Sequence, residues 1–168
     1  FCLAELELAL RYPIEVIQVG AVLCTSAGPM FSRALAEEFE FPSLRRRVGM
    51  AKAKGRLVAL HVDGDARTYI PDFIAMGIDV LNPVEPCGGR QDIYALKAQY
   101  GDRLALHGNI DLAGVLTYGT PAEVRRDVEE HIDRLAGGGG YICASSHNIT
   151  ETAKEPTTAS EAIHPTTF

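Results

Sequence analysis

Short, unbroken apolar runs punctuate the chain at regular intervals, each closed by turn-forming residues. Val16-Ile17-Gln18-Val19 ends at Gly20, and Leu57-Val58-Ala59-Leu60-His61-Val62 ends at Asp63-Gly64-Asp65. Val80-Leu81-Asn82-Pro83-Val84, Leu104-Ala105-Leu106-His107-Gly108 and Tyr141-Ile142-Cys143-Ala144-Ser145 complete the series. Runs of this length without polar alternation predict strands buried on both faces. Pro83 has no N–H to give to a ladder, so it is expected near a strand end.

Helical patterns fill the intervals. Ser26-Ala27-Gly28-Pro29 reads as a loop, followed by a helical stretch from Phe31 to Phe39. A separate helix is predicted from Leu44 to Lys54, stopped by Gly55, and another from Tyr69 to Met76, stopped by Gly77. A helix from Asp92 to Tyr100 closes at Gly101. Thr120-Pro121-Ala122-Glu123 has the N-cap, first-turn proline and third-position glutamate of a strong helix start, predicted to run to Leu135 before Gly137–Gly140. Strands alternating with helices require parallel pairing through crossovers. The order fits either a doubly wound sheet or part of a barrel, and five strands do not close an eight-stranded barrel. Residues 1–150 are expected to form this domain, and the Thr-, Ala-, Glu- and Pro-rich residues 151–168 a loosely held tail.

Composition narrows the function. Among 168 residues, 46% are apolar and 23% charged, as in globular proteins, and no run has the roughly 18 apolar residues that span a bilayer. A net charge of −6 excludes a broad nucleic-acid footprint. The basic cluster Arg45-Arg46-Arg47, with Lys52 and Lys54, reads as a solvated helix face. Cys2, Cys24, Cys87 and Cys143 form no CxxC pair, which points away from a disulfide framework or zinc ribbon and towards a reducing cytoplasm. The first residues show no secretory pattern. The missing initiator Met leads to the expectation that a longer protein precedes Phe1.

Candidate chemistry gathers where strands end, the place that parallel α/β folds reserve for function. His61-Val62-Asp63 puts two ligand-type side chains on one side of a strand. Asn82-Pro83-Val84-Glu85-Pro86, His107-Gly108-Asn109-Ile110-Asp111 and Ser145-Ser146-His147-Asn148 are the other three strand ends. Each has a plain structural alternative. A single histidine at a strand end is commonly held by hydrogen bonds, Glu85 fits a solvated loop, and Asp111 fits the N-cap of a helix starting at Leu112. Gly137–Gly140 follows a helix and precedes a strand, the reverse of a dinucleotide loop, and reads as a helix stop. Cys143 reads as a core residue. Four consecutive strand ends carrying His, Asp, Glu or Asn lift the set above its parts.

The stretches LVALHVDGDARTYIPDFIAMGIDVLNPVEP, LKAQYGDRLALHGNIDLAGVLTYGTPAEVRRDVEEHI and GGGGYICASSHNI resemble, in order and spacing, the uroporphyrinogen decarboxylase superfamily over residues 44–149. The resemblance implies the C-terminal half, about strands four to eight, of a (β/α)8 TIM barrel with flanking helices. It implies a cytoplasmic enzyme with a small-molecule substrate and neither nucleic acid nor membrane as partner. One branch comprises corrinoid- and coenzyme M-linked methyltransferases; the decarboxylase itself belongs to porphyrin biosynthesis. In the zinc-dependent methyltransferases a His-x-Cys pair and a late Cys hold the metal. Here His61 matches the first ligand, while Asp63 and His147 stand where the thiolates would be. The resemblance thus implies His61, Asp63, Glu85 and His147 as metal ligands, His147, Asp63 and Glu85 as catalytic groups, and His107, Asn109, Asp111 and Ser146 as substrate contacts. Methyl transfer implies Zn²⁺ and a corrinoid on a partner protein; decarboxylation implies neither. An inactive half-barrel needing its missing N-terminal half, or a second copy, is the third expectation.

Overall fold

In a computed structural model, residues 2–149 are described, and the predicted tail at residues 151–168 lies outside them. Five parallel strands form one sheet: β1 (Val16–Gly20), β4 (Leu57–His61), β5 (Val80–Val84), β6 (Ala105–Ile110) and β7 (Tyr141–Ser145), in that spatial order. A two-residue hairpin, β2 (Cys24–Thr25) with β3 (Gly28–Pro29), sits in the first crossover. Six α-helices accompany the strands: α1 (Cys2–Ala9), α2 (Arg33–Leu35), α3 (Phe41–Ala53), α4 (Ile70–Met76), α5 (Ile93–Tyr100) and α6 (Pro121–Leu135).

The strand order decides between the two predicted architectures. Each strand lies beside its predecessor in the sheet, so every right-handed crossover steps the same way and leaves its helix on the same face. A doubly wound sheet reverses direction and is covered on both sides. Here Ile17, Val19, Val58, Leu60, Leu81 and Leu106 pack with helix residues such as Leu44, Val48, Phe73 and Leu96 in one core. The opposite face is open: Val16 is 49% exposed, Leu57 50% and Ile142 45%. One-sided covering of a sequential parallel sheet is the arrangement of a barrel segment, whose open face looks into the barrel.

Local chemistry explains the departures from prediction. The helical stretch before Gly55 is not two helices. A widened turn over Ala36–Glu40, with the Phe41 N–H donating to the Ala36 carbonyl, joins α2 to α3. Pro42 lacks the N–H that a regular ladder would need there, and a π-type turn absorbs the gap. Pro83 is the penultimate residue of β5, near the strand end as expected, and the register between β5 and β6 shifts between Leu81 and Val84 around it. The start of α6 follows its sequence: the Glu123 N–H donates to Thr120 Oγ1 at 3.3 Å and Glu123 accepts from the Thr120 N–H at 2.7 Å. The basic cluster is largely tied to the fold. Arg45 pairs with Glu37, Arg47 donates to the Gly20 carbonyl at 2.7 Å, and Lys52 binds Asp79 at 2.5 Å.

Candidate metal centre

The site lies at the C-terminal ends of the strands and is built from β4 and the chain that follows β7. His61 ends β4, and Val62 and Asp63 follow before the turn at Gly64, which needs its positive φ of 82°. His147 comes two residues after β7. His61 Nε2 is 3.4 Å from Asp63 Oδ1, and His147 Nε2 is 3.7 Å from the same oxygen. One ligand atom from each of the three residues lies within 4.8 Å of the others. Donors about 2.0–2.1 Å from a tetrahedral Zn²⁺ stand roughly 3.4 Å apart, so the spacing and the N, N, O donor set fit that ion. The fit does not extend to Glu85, which is no member of this cluster. Its side chain lines the neighbouring cavity, and its carbonyl accepts from Gln91 Nε2 at 2.9 Å. The insertion of Pro86 and the turn at Cys87–Gly89 carries the chain away after β5.

Behind the ligands runs a lateral row of inner-face residues. Gly20 is in register with His61, and His61 with Asn82; one strand further, His107 is in register with Ile142. Asn82 Oδ1 lies 2.8 Å from His61 Nδ1, and Asn82 Nδ2 makes a close contact with His107 Nδ1. Burial, and then the nearby His61, press the His107 imidazole towards its neutral form. His107, a predicted substrate contact, therefore faces the barrel interior with Nδ1 engaged by Asn82.

The other predicted substrate contacts divide. A cavity of about 770 Å³ beside the metal cluster is lined by Glu85, Arg90, Asp111, Tyr118, Ser146 and His147. Asp111 and Ser146 line it, but each also accepts a hydrogen bond from the turn after β6. Asp111 Oδ1 accepts from the Ala113 N–H at 3.0 Å, as its N-cap reading predicts, and Ser146 Oγ accepts from the Leu112 N–H at 3.1 Å. Asn109 is not among the residues that line this cavity. It is buried, its backbone adopts φ 77°, and its amide is engaged at both ends: Nδ2 donates to the Val84 carbonyl at 3.2 Å and Oδ1 lies 3.1 Å from His131 Nε2. In this turn the side chain acts as a brace between β5 and β6.

Two residues have roles that the sequence reading did not assign. Asn82 holds two of the candidate histidines; the available signal was a polar residue inside an otherwise apolar strand. His131, buried on α6, donates to the Asp127 carbonyl through Nδ1 at 2.7 Å and packs between the rings of Tyr94 and Tyr141. Its place in the apolar stripe of an amphipathic helix was the signal. Asp127, beside it, is raised above the usual carboxylate range, chiefly by burial. The cysteines stay out of the metal cluster. Burial pushes Cys24 up to about 12 and Cys87 to about 11, so both are neutral thiols, and Cys143 is half-buried against Val124 and its neighbours.

The family model described as uroporphyrinogen decarboxylase (URO-D) matches residues 4–161. A uroporphyrinogen decarboxylase of Methylococcus capsulatus is 26% identical over 113 residues, covering 66% of this chain and 31% of that protein. One from Chlorobium limicola is 27% identical over 116 residues, covering 67% and 31%. The chain thus spans about a third of the length of these curated relatives. A solved methyltransferase from Methanosarcina mazei superposes with a TM-score of 0.66 at 20% identity, over 89% of this chain and 40% of that one, a likeness of fold. Among the described residues, no helix is long and apolar enough to cross a membrane.

Proposed function

The chain belongs to the uroporphyrinogen decarboxylase family, and from that premise we propose that it is the metal-bearing half of a barrel enzyme that moves a methyl group between a thiol and a corrinoid carried on a partner protein. The observation that carries this reading is the convergence of His61, Asp63 and His147 on one point at the barrel mouth. Two neutral imidazoles and one carboxylate leave a divalent cation with a net positive charge. Such a centre favours an anionic further ligand, and a thiolate is one. Bound there, Zn²⁺ would supply Lewis acidity and lower the pKa of a substrate thiol. The chain's own residues do the remainder. His61 and His147 hold from opposite sides, Asp63 bridges them, and the adjoining cavity with Glu85 and Arg90 receives the body of a small-molecule substrate.

Equilibrium dialysis against Zn²⁺ tests the reading. One ion per chain is expected, with affinity lowered at least about tenfold in His61→Ala and in Asp63→Ala. Uptake that is unchanged in both variants overturns it.

A second reading, decarboxylation in porphyrin biosynthesis, is favoured by the curated relatives, both of them uroporphyrinogen decarboxylases. In it no metal or corrinoid takes part, and His147, Asp63 and Glu85 hydrogen-bond the substrate and move protons. Turnover of uroporphyrinogen that survives chelation supports it. Either activity calls for the rest of the barrel, from an N-terminal half or from another chain, because the inner face bearing Val16, Leu57 and Ile142 lies open.

A further inference from the structure

Asn82 stands between two imidazoles and meets both through the same kind of atom, Nδ1. A carboxamide has one accepting end and one donating end, whereas each Nδ1 can play either part. With neutral rings, only two settings satisfy both contacts. In one, His61 Nδ1–H donates to Asn82 Oδ1 and Asn82 Nδ2–H donates to His107 Nδ1. In the other, the amide is turned over and both hydrogen bonds run backwards. Each setting fixes the far nitrogens as well. The first leaves a lone pair on His61 Nε2 and a proton on His107 Nε2; the second does the opposite.

The environment of His61 Nε2 selects between them. Asp63 Oδ1, 3.4 Å away, favours a proton on that nitrogen when nothing else is there. A cation at the same place requires the lone pair. The amide orientation in the structure, with Oδ1 towards His61, corresponds to the metal-competent setting. Among the described residues His107 Nε2 has no protein partner, and its ring belongs to the inner-face row beside the cluster.

We propose that Asn82 is a positioning residue that couples the metal centre to His107, so that ion binding at His61 places the His107 proton on Nε2 and presents it to the barrel interior as a hydrogen-bond donor. The proposal rests on the metal reading above and adds a substrate feature to it: an acceptor atom, such as a carboxylate or carbonyl oxygen, that meets His107 only when the ion is in place. Without the ion the same nitrogen offers a lone pair and no longer suits that atom. The net proton count is unchanged: the amide rotates, and each ring releases a proton to water from one nitrogen and takes one up at the other, His61 ending protonated at Nδ1 and His107 at Nε2.

Long-range ¹H–¹⁵N NMR of the imidazoles, in the ¹⁵N-labelled chain with Zn²⁺ and after chelation, reads the tautomers directly. The expected result is His107 protonated at Nε2 in the zinc form and shifted towards Nδ1 protonation in the chelated form. Two variants isolate the amide, with circular dichroism confirming their fold. Asn82→Ala is expected to weaken Zn²⁺ binding about 10–100-fold and to uncouple the His107 signal from zinc. Asn82→Asp can only accept, so it is expected to keep Zn²⁺ and hold the His107 proton at Nδ1 whether or not zinc is present. Zinc that binds and moves the His61 signals without changing His107 overturns the coupling alone. Coupling that persists in Asn82→Ala also overturns it. Absence of zinc binding in the native chain instead removes the metal reading beneath it.

Discussion

His61 and His147 face each other with ring centroids 6.4 Å apart, although the strands that carry them, β4 and β7, stand three places apart in the sheet. In a flat sheet three strand spacings come to about 14 Å. The sheet's curl, the chain beyond β7 that carries His147 and the reach of the two side chains together turn two separate strand ends into one site. The same curvature brings Asp63 within ion-pairing distance of both rings.

The turn that aims Asp63 depends on Gly64. A Cβ at this position would stand 2.4 Å from the Thr25 carbonyl carbon and 2.5 Å from its oxygen, with φ already at 82°. Gly64→Ala must therefore displace the β2–β3 hairpin or the turn itself, at a cost of about 2–4 kcal/mol. Gly55→Ala shares the positive φ but meets nothing within 4 Å, so only strain remains, about 1 kcal/mol. Urea unfolding of the two variants side by side measures the difference; equal losses would mean that the Thr25 backbone gives way freely.

Asp65 supplies a pH dependence. It is buried, and the Arg67 guanidinium bonded to it, with Oδ2 at 2.7 Å, holds its carboxyl below the usual carboxylate range. Because the folded pKa lies below the unfolded value of about 3.9, the contribution is complete above that value. It is lost as pH falls through the folded pKa. Asp65→Asn is expected to lower stability by about 1–2 kcal/mol at pH 7, a modest figure because Arg67 is half exposed. The gap between native and variant Tm should close as pH drops below about 4. A gap constant from pH 7 to pH 3 contradicts the assignment.

His131 is expected to matter for stability without touching the site. Truncation to Ala leaves Asn109 Oδ1 buried without its partner and removes a ring packed between Tyr94 and Tyr141. A loss of about 2–4 kcal/mol is expected in denaturant unfolding. Zn²⁺ affinity should change far less than in His61→Ala, since Asn109 braces β5 against β6 and holds no ligand. A zinc affinity that falls as far as in His61→Ala would place Asn109 nearer the site than the structure does.

The five strands were legible because each is a continuous apolar run between turn residues, and Thr120-Pro121-Ala122-Glu123 announced α6 through chemistry local to four residues. Other elements left little trace. β2 and β3 have two residues each, too few for any period. In α1 and just past it, Leu6, Leu8 and Leu10 alternate with polar or small residues as a strand would, and within the helix only Leu6 is buried. The convergence of His61 and Asp63 followed from strand alternation, but their meeting with His147 required the curl, which no local pattern encodes. The bracing role of Asn109 left no trace in the sequence, because it depends on a backbone φ of 77°, a property of the turn and not of the residue type.

Two of the three ligands lie on one side of the seam and the third arrives only after residues 64–146 have been threaded through three further strands. An ion gripped by all three would therefore act as a clasp between the first and last parts of this unit. It would disfavour the open chain and couple the folding of β7 to occupancy at the end of β4. Chemistry and architecture would then share a single fastening, and loosening one would loosen the other.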